Sequence, residues 1–182
     1  MTVFIVGGSK SGKSDFAQEV TRKLARGGRH YYVATMIPTE QACDQAVIRS
    51  HLRRRAGQGF ETIEQGRDIL ACLDRADKNA AFLLDAVTTL LSNELFPAEK
   101  DYETDEEAAL RCGGELVAFV HAVSNAVIVS DHLFCDAVRY DAATDAFRRH
   151  LGAIHCRLAE VCDTVLEMTN GILTIHKGEL PE

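Results

Sequence analysis

The sequence predicts an α/β fold built on a mostly parallel sheet with helices on both faces. Three observations carry this. Short β-rich runs alternate with runs of helical periodicity along the chain, the pattern of βαβ units. Two of the strands, Ala80–Asp85 and Ala126–Ser130, read as nearly continuous apolar runs, as a strand covered on both faces must. Asn170-Gly171 lies between two further apolar runs, the strongest short hairpin signal, so the last strand should run antiparallel to its neighbour.

The elements follow in order. Thr2–Val6 is a β-rich run that ends in a glycine loop. From Ser14 to about Arg26, Phe16, Val20 and Leu24 recur four apart on one helical face, and Gly27-Gly28 closes the helix. His30–Thr35 is the second strand. Glu40–Arg55 reads as a helix, broken by Gly57–Gly59, and Phe60–Glu64 as a short strand. Arg67–Ala76 reads as helix before the strand Ala80–Asp85. Thr104 is placed to cap a helix from Glu106 to about Ser124, with Glu107 at the capping-box position. After Ala126–Ser130, the stretch Ala142–Cys162 is helical with an interruption expected near Gly152. Thr164–Thr169 and Ile172–His176 form the hairpin. In such sheets ligands bind outside the carboxyl ends of the strands, so the loops starting at Gly7, Thr35, Asp85 and Ser130 should crowd one edge.

Length and composition fit one soluble domain, residues 1–182: 46% of residues are hydrophobic and 26% charged. The net charge of -7 argues against nucleic acid as a partner. Arg53, Arg54 and Arg55 are a solvated helix end or a phosphate contact. The apolar run Val3–Val6 is far too short for a signal sequence or a membrane span. The six cysteines show no C-x-x-C pairing, which suits buried or incidental thiols of a reducing compartment. The cytoplasm is the expected location.

Gly7-Gly8-Ser9-Lys10-Ser11-Gly12-Lys13-Ser14 matches G-x-x-x-x-G-K-[ST], with an apolar strand before it and an amphipathic helix after it. Glycines let the backbone curl so that N–H groups converge on phosphate oxygens. The helix start adds its positive dipole end. Lys13 reaches the outer phosphates, and the Ser14 hydroxyl suits Mg²⁺. The expected fold is therefore a three-layer P-loop nucleotide-binding one, using ATP or GTP with Mg²⁺. Asp85, ending its apolar strand, is either a second Mg²⁺ holder or the cap of the following turn. His51 shares a helical stripe with Cys43 and Val47. It reads as a packed core histidine, a general base or a nucleophile toward phosphorus.

Several motifs in order extend this: the glycine loop, Tyr32-Val33-Ala34-Thr35, Ile48-x-x-His51-x-x-x-Arg55, Thr62-x-Glu64, Leu84-Asp85-Ala86-Val87-Thr88 with Ser92-Asn93, Val127-Ile128-Val129-Ser130, Phe147-Arg148 with Gly152, Leu158-Ala159, Asp163-x-Val165 and Lys177. Together they resemble the bifunctional adenosylcobinamide kinase / adenosylcobinamide-phosphate guanylyltransferase family of cobalamin biosynthesis, over nearly the whole chain. The resemblance implies phosphorylation of the aminopropanol hydroxyl of adenosylcobinamide, then transfer of GMP from GTP through a GMP held on a histidine, here His51. It implies a corrinoid as second substrate, Thr35, Glu64 and Asp85 in the nucleotide region, and a homo-oligomer, a trimer in the family. For Glu64 an ordinary surface position is the alternative.

The sequence departs from the family at Val47, where arginine is usual, and at Ala56, where proline is. The family's Val-Ser-Asn-Glu-Val-Gly reads Val129-Ser130-Asp131-His132-Leu133-Phe134, Phe-Arg-Asp reads Phe147-Arg148-Arg149, and Asn-Gln reads His155-Cys156. A different small P-loop kinase, or a nucleotide-binding module without one or both activities, are the alternative readings.

Overall fold

In the computed structural model, residues 1–37, 57–100, 103–134 and 136–181 are described. The strands are β1 (Thr2–Gly7), β2 (His30–Ala34), β3 (Glu61–Glu64), β4 (Ala81–Asp85), β5 (Asn125–Asp131), β6 (Thr164–Thr169) and β7 (Ile172–Lys177). They form one seven-stranded sheet in the order β3-β2-β4-β5-β1-β6-β7. All neighbours are parallel except β6 and β7. The expected α/β sheet with a final antiparallel hairpin is what forms. Its turn has Asn170 at φ 51° and Gly171 at φ 81°, the paired left-handed geometry that an Asn-Gly turn supplies.

The apolar strands are buried because alternate residues enter two different layers. Val3, Ile5, Leu83, Val127 and Val129 face helix α1 (Lys13–Ala25), where Ala17 and Val20 meet them. Phe4, Phe82, Leu84, Ala126 and Ile128 face the opposite layer. That layer holds α2 (Val87–Leu95), α3 (Glu106–Ala122) and α4 (Ala142–Val161), which contribute Leu90, Leu91, Leu116, Phe119, Leu151 and Leu158. The result is the three-layer arrangement expected of a P-loop fold.

Some local expectations are corrected. Helix α2 has no counterpart among the elements expected from sequence. Residues Ile69–Arg75 form a 3₁₀ helix rather than an α-helix, entered through Asp68 at φ 46°. The cap of α3 is Asp105, not Thr104: its carboxylate accepts from the Ala108 amide at 3.0 Å. Helix α4 runs unbroken through Gly152. A Cβ at Gly152 would stand 3.7 Å from the Phe134 ring, ordinary contact, so the glycine sits in a packed helix interior. The expected helix Glu40–Arg55 lies outside the described residues. At the end of α4, the Lys177 ammonium donates to the carbonyls of Ala159, Glu160 and Cys162 at 3.1, 2.8 and 2.7 Å. A cation there satisfies orphan carbonyls and opposes the helix dipole.

The ladders fix which residues share the carboxyl edge. Gly7 lies beside Asp131, Ala34 beside Asp85, and Asp85 beside Val129. Because these strands are parallel, the loops after β1, β2, β4 and β5 leave the sheet on one side. Helix α1 packs across β5 and β4.

Candidate active site: a phosphate loop at the carboxyl edge

The loop from Gly7 to Ser14 curls as its glycines and left-handed residues allow. Lys10 has φ 58° and Gly12 has φ 95°, and the Ser11 amide donates to the Gly8 carbonyl at 3.3 Å. Gly12 sits at the head of α1 with no side-chain cap, so no side chain consumes the first amides of the helix. Gly7 has a second reason to be glycine: a Cβ there would lie 2.2 Å from the Met168 carbonyl oxygen on β6. From the other side, the Gly171 amide donates to the Ser11 carbonyl at 3.1 Å, so the hairpin turn braces the loop. The Ser11 hydroxyl is buried and has no partner. An unsatisfied buried donor beside open helix amides fits an anion, as a phosphate-binding cradle requires.

Lys13 is only 6% exposed. Its ammonium donates to the Gly8 carbonyl at 2.8 Å and to Asp131 Oδ1 at 2.9 Å. The other Asp131 oxygen accepts from the Thr88 hydroxyl at 3.0 Å. Asp131 is not among the site residues expected from sequence. The available signal is the one that points to Asp85, a carboxylate ending a buried apolar strand. Asp85 and Asp131 project on the α1 face of the sheet, Asp85 one strand over and two residues deeper. Asp85 Oδ2 accepts from the Tyr32 hydroxyl at 2.6 Å. Ser14, half buried, lies in the first turn of α1. The structure therefore gathers the loop, Lys13, Ser14 and Asp131 in one place, with Asp85 two strand spacings from β1, roughly 10 Å.

The other expected residues lie further out or inward. Thr35 is fully buried, and its hydroxyl donates to the Ala86 carbonyl at 2.9 Å while accepting from the Ala86 amide at 2.8 Å. Its carbonyl accepts from the Asn93 amide group at 2.8 Å. The hydroxyl of Thr35 thus ties the ends of β2 and β4 together. Glu64 is exposed at the end of the outermost strand, four strand spacings from β1, roughly 19 Å. Gly8, Ser9 and Lys10 are exposed on the loop. His51 lies outside the described residues.

Behind Asp131 the site has an aromatic wall. The Ser130 hydroxyl is fully buried and bonds His155 Nε2 at 2.7 Å. The His155 ring stands edge-on to Phe4 and Phe134, with centroids at 5.3 and 5.5 Å. Burial pushes the His155 pKa down to about 4, aided by His132 and opposed by Asp131. The folded chain therefore resists a proton that the unfolded chain accepts below about pH 6.5. The contribution of His155 to stability is full above that pH and is lost as the pH drops toward 4, about 3 kcal/mol from this group. A His155→Asn variant should show a flatter loss of melting temperature between pH 6.5 and 4. An unchanged acid slope would refute the assignment.

Elsewhere among the described residues, carboxylate oxygens of Asp68, Glu94 and Glu115 lie within 4.8 Å of one another. Internal partners account for them: Glu94 accepts from the Asp68 amide at 2.8 Å, and Arg111 lies 3.7 Å from Glu94 and 3.8 Å from Glu115. Burial raises the pKa of both glutamates.

Known proteins share this fold. Among solved structures, a KaiC-like protein from Pyrococcus horikoshii OT3 superposes with a TM-score of 0.54, at 17% identity over 98% of this chain and 79% of its own. A second solved structure, an ATPase domain, gives 0.51, at 11% identity over 91% of this chain and 68% of its own. These two likenesses establish the fold. In sequence, the chain is 26% identical to the bifunctional adenosylcobalamin biosynthesis protein CobU of Escherichia coli (strain K12), over 94% of this chain and 97% of that one. Residues 3–175 match the family described as cobinamide kinase / cobinamide phosphate guanyltransferase. With that match running through β1, the phosphate loop and every strand of the sheet, the chain belongs to the cobinamide kinase / cobinamide phosphate guanyltransferase family.

Proposed function

We propose that this protein phosphorylates adenosylcobinamide with a nucleoside triphosphate, and then transfers GMP from GTP to the adenosylcobinamide phosphate. The observation that carries the reading is the buried Lys13 ammonium at a loop whose Ser11 hydroxyl is unpaired and whose helix start has no side-chain cap, in a chain of this family. In the first step the substrate hydroxyl oxygen bonds the γ-phosphorus and loses its proton, and the nucleoside diphosphate leaves. Lys13 and the loop amides hold the phosphate oxygens as charge develops on them. In the second step His51 attacks the α-phosphorus of GTP and pyrophosphate leaves. The phosphate of the second substrate then takes the GMP from nitrogen.

Ser14 and Asp85 are the residues that would hold Mg²⁺, and a hydroxyl and a carboxylate are the oxygen donors that a hard cation takes. When bound, the ion supplies charge neutralisation on the phosphates. Thr35 supports this site through the backbone of Ala86, and Glu64 belongs to its outer part. A cytoplasmic homo-oligomer, trimeric by resemblance, completes the reading. Among the described residues, no helix is long and apolar enough to cross a membrane.

The test is incubation with α-³²P-GTP and Mg²⁺ followed by a denaturing gel. Wild type should carry an acid-labile labelled band that His51→Ala lacks. A wild type without the band, in a protein that still transfers the γ-phosphoryl group, would leave a kinase alone. A band that persists in His51→Ala would move the nucleophile to another residue.

A further inference from the structure

A buried ammonium needs an anion. Lys13 is 6% exposed, and leaving its charge unpaired in the interior would cost more than the fold can readily bear. The partner it has is the Asp131 carboxylate at 2.9 Å, which is about one-third exposed at the carboxyl edge. By register Asp131 stands directly beside Gly7, at the mouth of the loop. So an internal carboxylate sits against the amine that is to bind a phosphate.

We propose that Asp131 is an internal stand-in for nucleotide phosphate: it holds Lys13 across the loop until nucleotide binds, and is then exchanged for a phosphate oxygen. This rests on the nucleotide-binding reading above. Three features of the geometry support exchange rather than a permanent bridge. The Thr88 hydroxyl holds the second Asp131 oxygen at 3.0 Å, so the carboxylate keeps an anchor when Lys13 turns away. The Gly8 carbonyl, at 2.8 Å, keeps the amine at the loop throughout. And the Ser11 hydroxyl is buried without a partner, so the loop holds a donor for an incoming anion that Asp131 does not satisfy. The consequence is a bias against bare nucleotide. An entering phosphate must compete with Asp131 for Lys13 and lie beside its negative charge. A nucleotide whose charge is partly neutralised by Mg²⁺ suffers less from that repulsion. Asp131 is thus a positioning residue that acts through Lys13.

The experiment is a fluorescence titration of mant-GTP and mant-ATP, in EDTA and in Mg²⁺, on wild type, Asp131→Asn and Asp131→Ser. Melting curves of each protein without nucleotide accompany it. Removing the carboxylate should tighten binding in EDTA by about tenfold, the scale of one charge-assisted hydrogen bond. The advantage of Mg²⁺ should shrink through that tightening, while the variants without nucleotide melt lower than wild type. A merely structural role would weaken binding instead. The serine variant is the smaller side chain, and it serves if the asparagine variant fails to fold. Binding in EDTA that is unchanged or weaker in the folded variants overturns the proposal, and a loss seen only in Mg²⁺ would make Asp131 a metal holder. If wild type binds neither nucleotide, the nucleotide reading itself fails and this proposal fails with it.

Discussion

Replacing Lys13 with methionine should lower the rate of phosphoryl transfer by roughly a thousandfold or more, the scale seen when a preorganised charge is removed from a transition state. Methionine nearly matches the aliphatic stem, so packing around the 6%-exposed site is largely kept. What disappears is the charge between the Gly8 carbonyl and Asp131. The stranded Asp131 carboxylate is partly exposed and keeps its Thr88 bond, which limits the cost to the fold. Rate and melting temperature are therefore the pair to measure. A rate within tenfold of wild type would remove Lys13 from the chemistry. A collapse in melting temperature would make its role chiefly structural.

The second large effect is on stability. Gly7→Ala places a Cβ 2.2 Å from the Met168 carbonyl oxygen, and the atom it meets is backbone, not a side chain that can swing aside. Gly7 and Met168 are register partners on adjacent parallel strands, and β1 lies between β5 and β6. Relief requires parting β1 from β6 where their ladder ends, at the start of the phosphate loop. The expected loss exceeds about 4 kcal/mol, the range reserved for severe steric or core defects. For a chain of this size that lowers the melting temperature by roughly 10 °C or more. Thermal denaturation of the variant decides it, and a shift of only a few degrees would mean that the strands yield more easily than their register implies.

Much of this is readable in the chain itself, for definable reasons. The phosphate loop is a local device: its glycines, lysine and serine all lie within a single short stretch, so spacing alone exposes it. The buried strands are equally local, since covering both faces forces an apolar run such as Phe82-Leu83-Leu84. Helix α2 is hidden because its start has no side-chain cap and opens with Val87, Thr88 and Thr89, whose branched side chains read as strand. The start is held instead by Thr35, distant in sequence, through both polar groups of Ala86. Asp131 escapes for the same reason. Its meaning comes from Lys13, which only the β1–β5 pairing brings to it. The cap of α3 shifts by one residue because Thr104 and Asp105 are both capable, and backbone geometry chooses between them. His155 is a similar case. In sequence it stands out only as a departure from the family, and its burial against Phe4, Phe134 and Ser130 emerges once α4 is laid on β5.

The bracing of the phosphate loop by the β6–β7 turn has a consequence for how the protein comes off the ribosome. Gly7 packs on Met168 and Ser11 is held by Gly171, so a loop translated early is completed by residues translated late. β1 must wait for both of its ladder partners, β5 and β6, while β2, β3, β4 and α2 to α4 are synthesised. The waiting strand is apolar from Val3 to Val6 and needs protection from stray pairing in the interval. A chain shortened before β6 would leave its glycine loop without the Gly171 bond and the Met168 contact that brace it in the finished fold.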